Sequence, residues 1–148
     1  MKHTFKVISE SEEQTEEIAC SFATLLQAGD KVALEGNLGA GKTVFARGLA
    51  RGLEITDAIS SPTFAIVQEY EGKCVLYHID LYRLSDLNDA LNFGLEDYIE
   101  DPEAISVIEW PSRIEPIIND SYSRIYIDYL DDKRQIRIES SKDLSILA

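Results

Sequence analysis

The chain has 148 residues, with 27 acidic against 14 basic side chains and a formal charge of −13. That length gives one domain with a sizeable core and leaves no room for a large second unit. The charge opposes extensive direct contact with a nucleic-acid backbone. No apolar run reaches the roughly 18 residues of a membrane span, and Met1-Lys2-His3-Thr4-Phe5 carries no signal-peptide pattern, so a soluble cytoplasmic protein is expected. Cys20 and Cys74 form no close pair and read as small core residues.

Thr4 to Ile8 alternates toward an opening strand with Phe5 and Val7 on one face. Ser11-Glu12-Glu13-Gln14 matches a capping box, and Ile18, Ala19, Phe22, Leu25 and Leu26 mark the buried stripe of an amphipathic helix that Gly29 should stop. Lys31–Glu35 then reads as a short buried strand.

Gly36-Asn37-Leu38-Gly39-Ala40-Gly41-Lys42-Thr43 follows that strand and satisfies a phosphate-binding loop at every defined position. Val44, Phe45, Leu49 and Leu53 fall at helical spacing behind it, giving the strand, loop, helix order that the chemistry needs. Backbone N–H groups must converge on phosphate oxygens, and glycines at 36, 39 and 41 permit positive φ and remove obstructing Cβ atoms. The helix dipole then faces the anion. Lys42 is expected to reach the β and γ oxygens of a nucleoside triphosphate, and the Thr43 hydroxyl to be one ligand of Mg²⁺.

Ser60-Ser61-Pro62 breaks regular structure, and the Thr63 hydroxyl just beyond it could sense the γ-phosphate or the metal as switch segments do. Phe64–Tyr70 and Lys73–Asp80 read as an antiparallel hairpin turning at Glu71-Gly72. Leu84–Ile99 is expected to hold one or two short helices around Gly94. Ile105–Ile108 is a second buried strand ending on Glu109, and Arg124–Leu130 with Arg134–Glu139 form a closing hairpin. Residues 1–140 thus read as a single domain and 141–148 as a frayed tail.

The phosphate chemistry also needs an acid at the end of a neighbouring strand. Glu109 is the first choice, because a buried parallel strand delivers its last residue to the edge where α/β sheets place ligands. Asp80 ends the rival strand and is expected either to orient the attacking water or to complete the outer metal shell. His78 reads as a packed or hydrogen-bonded core histidine, Trp110 as a cover for the site, a partner contact or core, and Arg83 as the one nearby arginine for charge stabilisation.

Gly36–Thr43, Ser61-Pro62-Thr63-Phe64, His78-Ile79-Asp80-Leu81-Tyr82-Arg83 and Glu109-Trp110-Pro111, in this order, resemble the TsaE (YjeE) family. That family is the P-loop ATPase component of the bacterial machinery making threonylcarbamoyladenosine in tRNA. The resemblance runs from Thr4 to about Glu139. It implies a three-layer α/β P-loop fold with a mixed parallel and antiparallel sheet, ATP and Mg²⁺ as ligands, and the TsaB and TsaD proteins as partners, with tRNA met only indirectly. It matches Thr43 and Glu109 to metal positions and Thr63 and Asp80 to switch-like ones, and it implies that adenine approaches Ser11 and Arg134. Asn37 departs from the family's usual aspartate, at a position that contributes chiefly its backbone.

A regulatory GTPase fits less well, since no Asn-Lys-x-Asp segment is present, and the acidic stretch 85–103 offers no arginine-rich kinase lid. A nucleotide-gated binding module with incidental hydrolysis is the alternative from another class.

Overall fold

The computed structural model describes residues 2–37, 41–59 and 66–148. The expectations for Leu38, Gly39, Ala40 and Thr63 therefore lie outside the described residues. Strands β1 (His3–Ser9), β2 (Lys31–Glu35), β3 (Val67–Glu71), β4 (Val75–Asp80), β5 (Ala104–Glu109), β6 (Tyr122–Leu130) and β7 (Lys133–Ser140) form one sheet in the order β1-β7-β6-β2-β5-β4-β3. The centre is parallel, β2 lying between β5 and β6 and β4 beside β5, while β1/β7, β6/β7 and β3/β4 are antiparallel. The sheet is mixed because two hairpins flank a parallel core.

Side-chain parity explains the three layers. In β2, Val32 and Leu34 face α1 (Glu12–Ala23) and α2 (Lys42–Gly52), packing with Phe22, Phe45 and Leu49. Ala33 faces the opposite layer with Ile79 and Ile108, where α3 (Leu87–Phe93), α4 (Leu95–Ile99) and a 3₁₀ segment (Pro111–Ile117) supply Ala90, Leu95, Ile99 and Ile114. Burial on both faces is why β2 and β5 are apolar runs instead of alternating ones.

Local signals place the helices. Ser11 caps α1, its Oγ accepting from the Gln14 N–H at 3.1 Å, while Gln14 Oε1 accepts from the Glu10 N–H at 2.9 Å. The helix ends at Ala23 with Thr24 as its cap, before Gly29, and Leu26 reaches the core from a turn. Gly29 at φ +94 instead serves the turn into β2, its N–H donating to the Ala104 carbonyl at 2.8 Å. The α1–α2 contact is close because Gly48 and Gly52 face α1: a Cβ at 48 would lie 2.3 Å from the Glu16 carbonyl oxygen. Arg47 and Arg51 both reach Glu16, at 4.0 and 3.2 Å.

The chain end departs from expectation. Residues 141–148 do not splay from the domain: Leu144 is 4 % exposed within the α1-side core, and Leu147 packs against it from a short 3₁₀ turn (Ser145–Leu147). Leu144 and Leu147 dock the segment, and an ion pair at 2.8 Å between Lys142 and Asp30 ties it to the turn before β2.

Candidate functional site

The carboxyl ends of β4 and β5 meet the start of α2. The parallel register pairs Asp80 with Glu109 and His78 with Val107. Parity then sends His78, Asp80 and Glu109 toward the face that carries α2. Gly41, at φ +106, turns the chain out of the loop so that α2 begins at Lys42. Lys42 and Glu109 are thereby brought together although 67 positions separate them in the chain: Lys42 Nζ stands 3.8 Å from Glu109 Oε1, at 6 % and 3 % exposure.

Glu109 is held from two sides. Its Oε2 lies 2.5 Å from His78 Nε2, and His78 is 1 % exposed. Lys42 Nζ also stands 4.1 Å from the centroid of the Trp110 ring, within cation–π range. Trp110 sits in the left-handed region at φ 59, and its ring packs at 4.9 Å against Tyr82. Burial pulls the Lys42 amine below its ordinary 10.5, opposed by the negative charges of Glu109 and Asp80. Burial pushes the Asp80 carboxyl above its ordinary 3.8, partly countered by the Tyr82 N–H, which donates to Oδ1 at 2.9 Å.

These groups open onto a cleft of about 380 Å³. Gly41, Lys42, Thr43, Val44, Asp80 and Glu109 line it, and Ser11 and Arg134 come to it from the α1 cap and the start of β7. An ion pair at 3.0 Å between Glu10 and Lys133 ties those last two segments together. Gly36 and Asn37 instead line a smaller neighbouring cavity of about 250 Å³, and Trp110 borders both spaces. Arg83 is exposed and does not line the cleft, so the expectation of an arginine beside the phosphates has no support from that residue.

His78 is a buried, hydrogen-bonded histidine, as one of its sequence readings had it, but the sequence does not name its partner, Glu109; its place two residues before Asp80 on the same face was the available signal. Sequence reasoning missed Tyr82 and the Ser9–Thr15 pair, whose hydroxyl oxygens lie 2.6 Å apart; these line the cleft, but only the fold brings them there.

The residues suit a magnesium-bound polyphosphate. Lys42 Nζ is buried with no hydrogen-bond partner among the described residues, an unsatisfied ammonium that an anion would complete. It stands at the positive end of α2. No cluster of three or more His, Cys, Asp or Glu forms a metal site among the described residues. One hydroxyl and one carboxylate are what a magnesium ion needs when phosphate and water provide its remaining ligands.

A buried strand, a left-handed glycine, a helix opening on Lys-Thr and an acid ending the adjacent parallel strand together define an α/β protein of the P-loop class. Residues 9–137 match the family described as Threonylcarbamoyl adenosine biosynthesis protein TsaE. The chain belongs to that family. It is 41 % identical over 126 residues to the tRNA threonylcarbamoyladenosine biosynthesis protein TsaE of Bacillus subtilis, covering 84 % of this chain and 78 % of the relative. The Aquifex aeolicus protein of the same name is 42 % identical over 139 residues, covering 90 % and 94 %. A crystal structure of YdiB from Bacillus subtilis superposes with a TM-score of 0.80 at 34 % identity, over 96 % of this chain and 88 % of that one.

Proposed function

We propose that this chain binds ATP with Mg²⁺, hydrolyses it slowly, and through protein partners supports the tRNA threonylcarbamoyladenosine modification for which its relatives are named. The observation that carries the reading is the buried Lys42 ammonium, 3.8 Å from Glu109 and lacking a hydrogen-bond partner among the described residues, at the first residue of α2. Lys42 draws the β and γ oxygens toward the helix start, where the backbone dipole adds to its charge. Thr43 and Glu109 would hold the magnesium ion, which when bound supplies neutralisation of phosphate charge. Asp80, made more basic by burial and oriented by the Tyr82 N–H, takes the proton of the attacking water. Val44 closes the cleft beside the loop, while Ser11 and Arg134 flank the end where the base would lie.

Slow turnover follows from the charge available. Arg83 stands outside the cleft, and the other cations that line it among the described residues, Lys133 and Arg134, come from the segment tied to Glu10 and not from beside Glu109. A partner that supplied a further cation would raise the rate, as inserted arginines do for other phosphoryl-transfer sites. The net charge of −13 favours action on proteins that hold the tRNA over action on the tRNA itself; TsaB and TsaD are the partners that the family resemblance implies. No helix among the described residues is long and apolar enough to cross a membrane, and a cytoplasmic location fits this role.

Steady-state ATPase measured with and without those two proteins tests the proposal. Stimulation on complex formation supports it, and an unchanged rate on a formed complex contradicts it. Glu109→Ala separates hydrolysis from a purely nucleotide-gated binding role: if modification persists while hydrolysis and its magnesium dependence vanish, hydrolysis is incidental.

A further inference from the structure

We propose that His78 is a positioning residue for Glu109, holding one carboxylate oxygen so that the other is presented toward Lys42 and the nucleotide cleft. The inference rests on the reading of Glu109 as a magnesium ligand. Its basis is geometric. In the parallel register Asp80 lies opposite Glu109, so His78, two residues back on the same face, is the diagonal neighbour of Glu109. Nε2 of His78 meets Oε2 of Glu109 at 2.5 Å, whereas Lys42 Nζ faces the other oxygen, Oε1, at 3.8 Å. The two carboxylate oxygens are thus assigned to different partners.

His78 itself is sealed from the cleft. It is 1 % exposed and is not among the lining residues, which distinguishes it from a group that touches substrate. Around it on the strand, Leu76 and Ile79 are apolar core, so a histidine here introduces buried polarity; among the described residues its hydrogen bond is to Glu109, and Nδ1 has no partner. Burying such a ring without function is costly. Its effect is to fix the side-chain rotation of Glu109, as hydrogen bonds behind a ligating carboxylate commonly do. An apolar residue at 78 would leave a carboxylate at 3 % exposure with Oε2 unpaired and free to turn toward Lys42.

The test is magnesium titration of the binding of a fluorescent ADP derivative by full-length protein, compared with binding in EDTA. His78→Leu should raise the magnesium concentration for half-maximal effect about tenfold while leaving metal-free binding within about threefold. His78→Gln, whose amide N–H can stand where Nε2 does, should restore most of the magnesium response. A folded His78→Leu protein with the wild-type magnesium midpoint would overturn the inference. Wild-type protein showing no magnesium response at all would instead overturn the reading of Glu109 beneath it, a separable result. Because His78→Leu removes a buried contact and could fail to fold, long-range ¹⁵N–¹H spectra of the wild-type imidazole give a second test. A proton on Nε2 agrees with donation to Glu109, and an Nε2 without a proton contradicts it.

Discussion

Replacing Lys42 with Met tests whether the buried ammonium exists for ligand or for fold. At 3.8 Å from Glu109, with an effective dielectric of about 20, the ion pair gains about 4 kcal/mol. Its place 4.1 Å from the Trp110 centroid adds about 1 kcal/mol. Against these stands a desolvation cost of several kcal/mol for an ammonium 6 % exposed, visible in its lowered pKa. The terms nearly cancel, and methionine fills much of the same volume while His78 continues to pair Glu109. Folding stability of Lys42→Met should therefore change by no more than about 1 kcal/mol, or about 2–4 °C in Tm for a chain of this size. Nucleotide affinity should change much more, because a charged hydrogen bond contributes about 1.5–3 kcal/mol, which corresponds to about ten- to hundredfold weaker ATP binding. Differential scanning calorimetry and equilibrium binding on the same preparation provide both numbers. A Tm loss above about 10 °C with binding retained would show that Lys42 is a structural strut, refuting the reasoning.

Three further outcomes follow from the same geometry. In Glu109→Gln the Lys42 amine loses the neighbour that most raises its pKa, so its folded-state value falls further below 10.5; the unfolded chain then binds more protons across that window, and thermal melts should show the variant regaining stability relative to wild type as pH rises toward 10.5. Asp80→Asn keeps the acceptor for the Tyr82 N–H and removes a carboxyl whose folded pKa burial raises above 3.8. The native chain holds the extra proton there, so wild type loses stability as pH rises through the region just above 3.8; the variant should be at least as stable as wild type at pH 7, with the gap closing below pH 4, and nearly inactive as an ATPase. Gly48→Ala would put a Cβ 2.3 Å from the Glu16 carbonyl and 2.7 Å from the Ala19 Cβ, forcing α1 from α2 at a cost of about 1–3 kcal/mol; an unchanged melting temperature would contradict the close contact.

The parts of the site legible in the sequence were those with a local signature. Lys31–Glu35 followed by Lys42-Thr43 spelled out strand and helix start, and the apolar run before Glu109 marked a buried strand whose end places that carboxylate beside Lys42. What depended on register was not legible: the pairing of β4 with β5 makes His78 a partner of Glu109 across 31 positions, and the place of His78 two residues before Asp80 gives its face but not the strand it meets. Trp110 likewise shows only in three dimensions that it covers Lys42 and divides two cavities, since its left-handed φ has no marker in a non-glycine residue. The end of α1 was misplaced because Gly29 is a strong stop signal, whereas Thr24 closes the helix through its own backbone N–H, which donates to the Ser21 and Phe22 carbonyls. The docked tail was hidden because its anchor, Leu144, stands in a stretch too short to show periodicity.

The most direct measurement is isothermal titration calorimetry of ATP into wild-type and Lys42→Met protein, each with and without magnesium chloride. Magnesium-strengthened uptake at one site per wild-type chain is expected, with a loss of about tenfold or more in the variant. Identical heats for the two proteins, or wild-type uptake indifferent to magnesium, would contradict it.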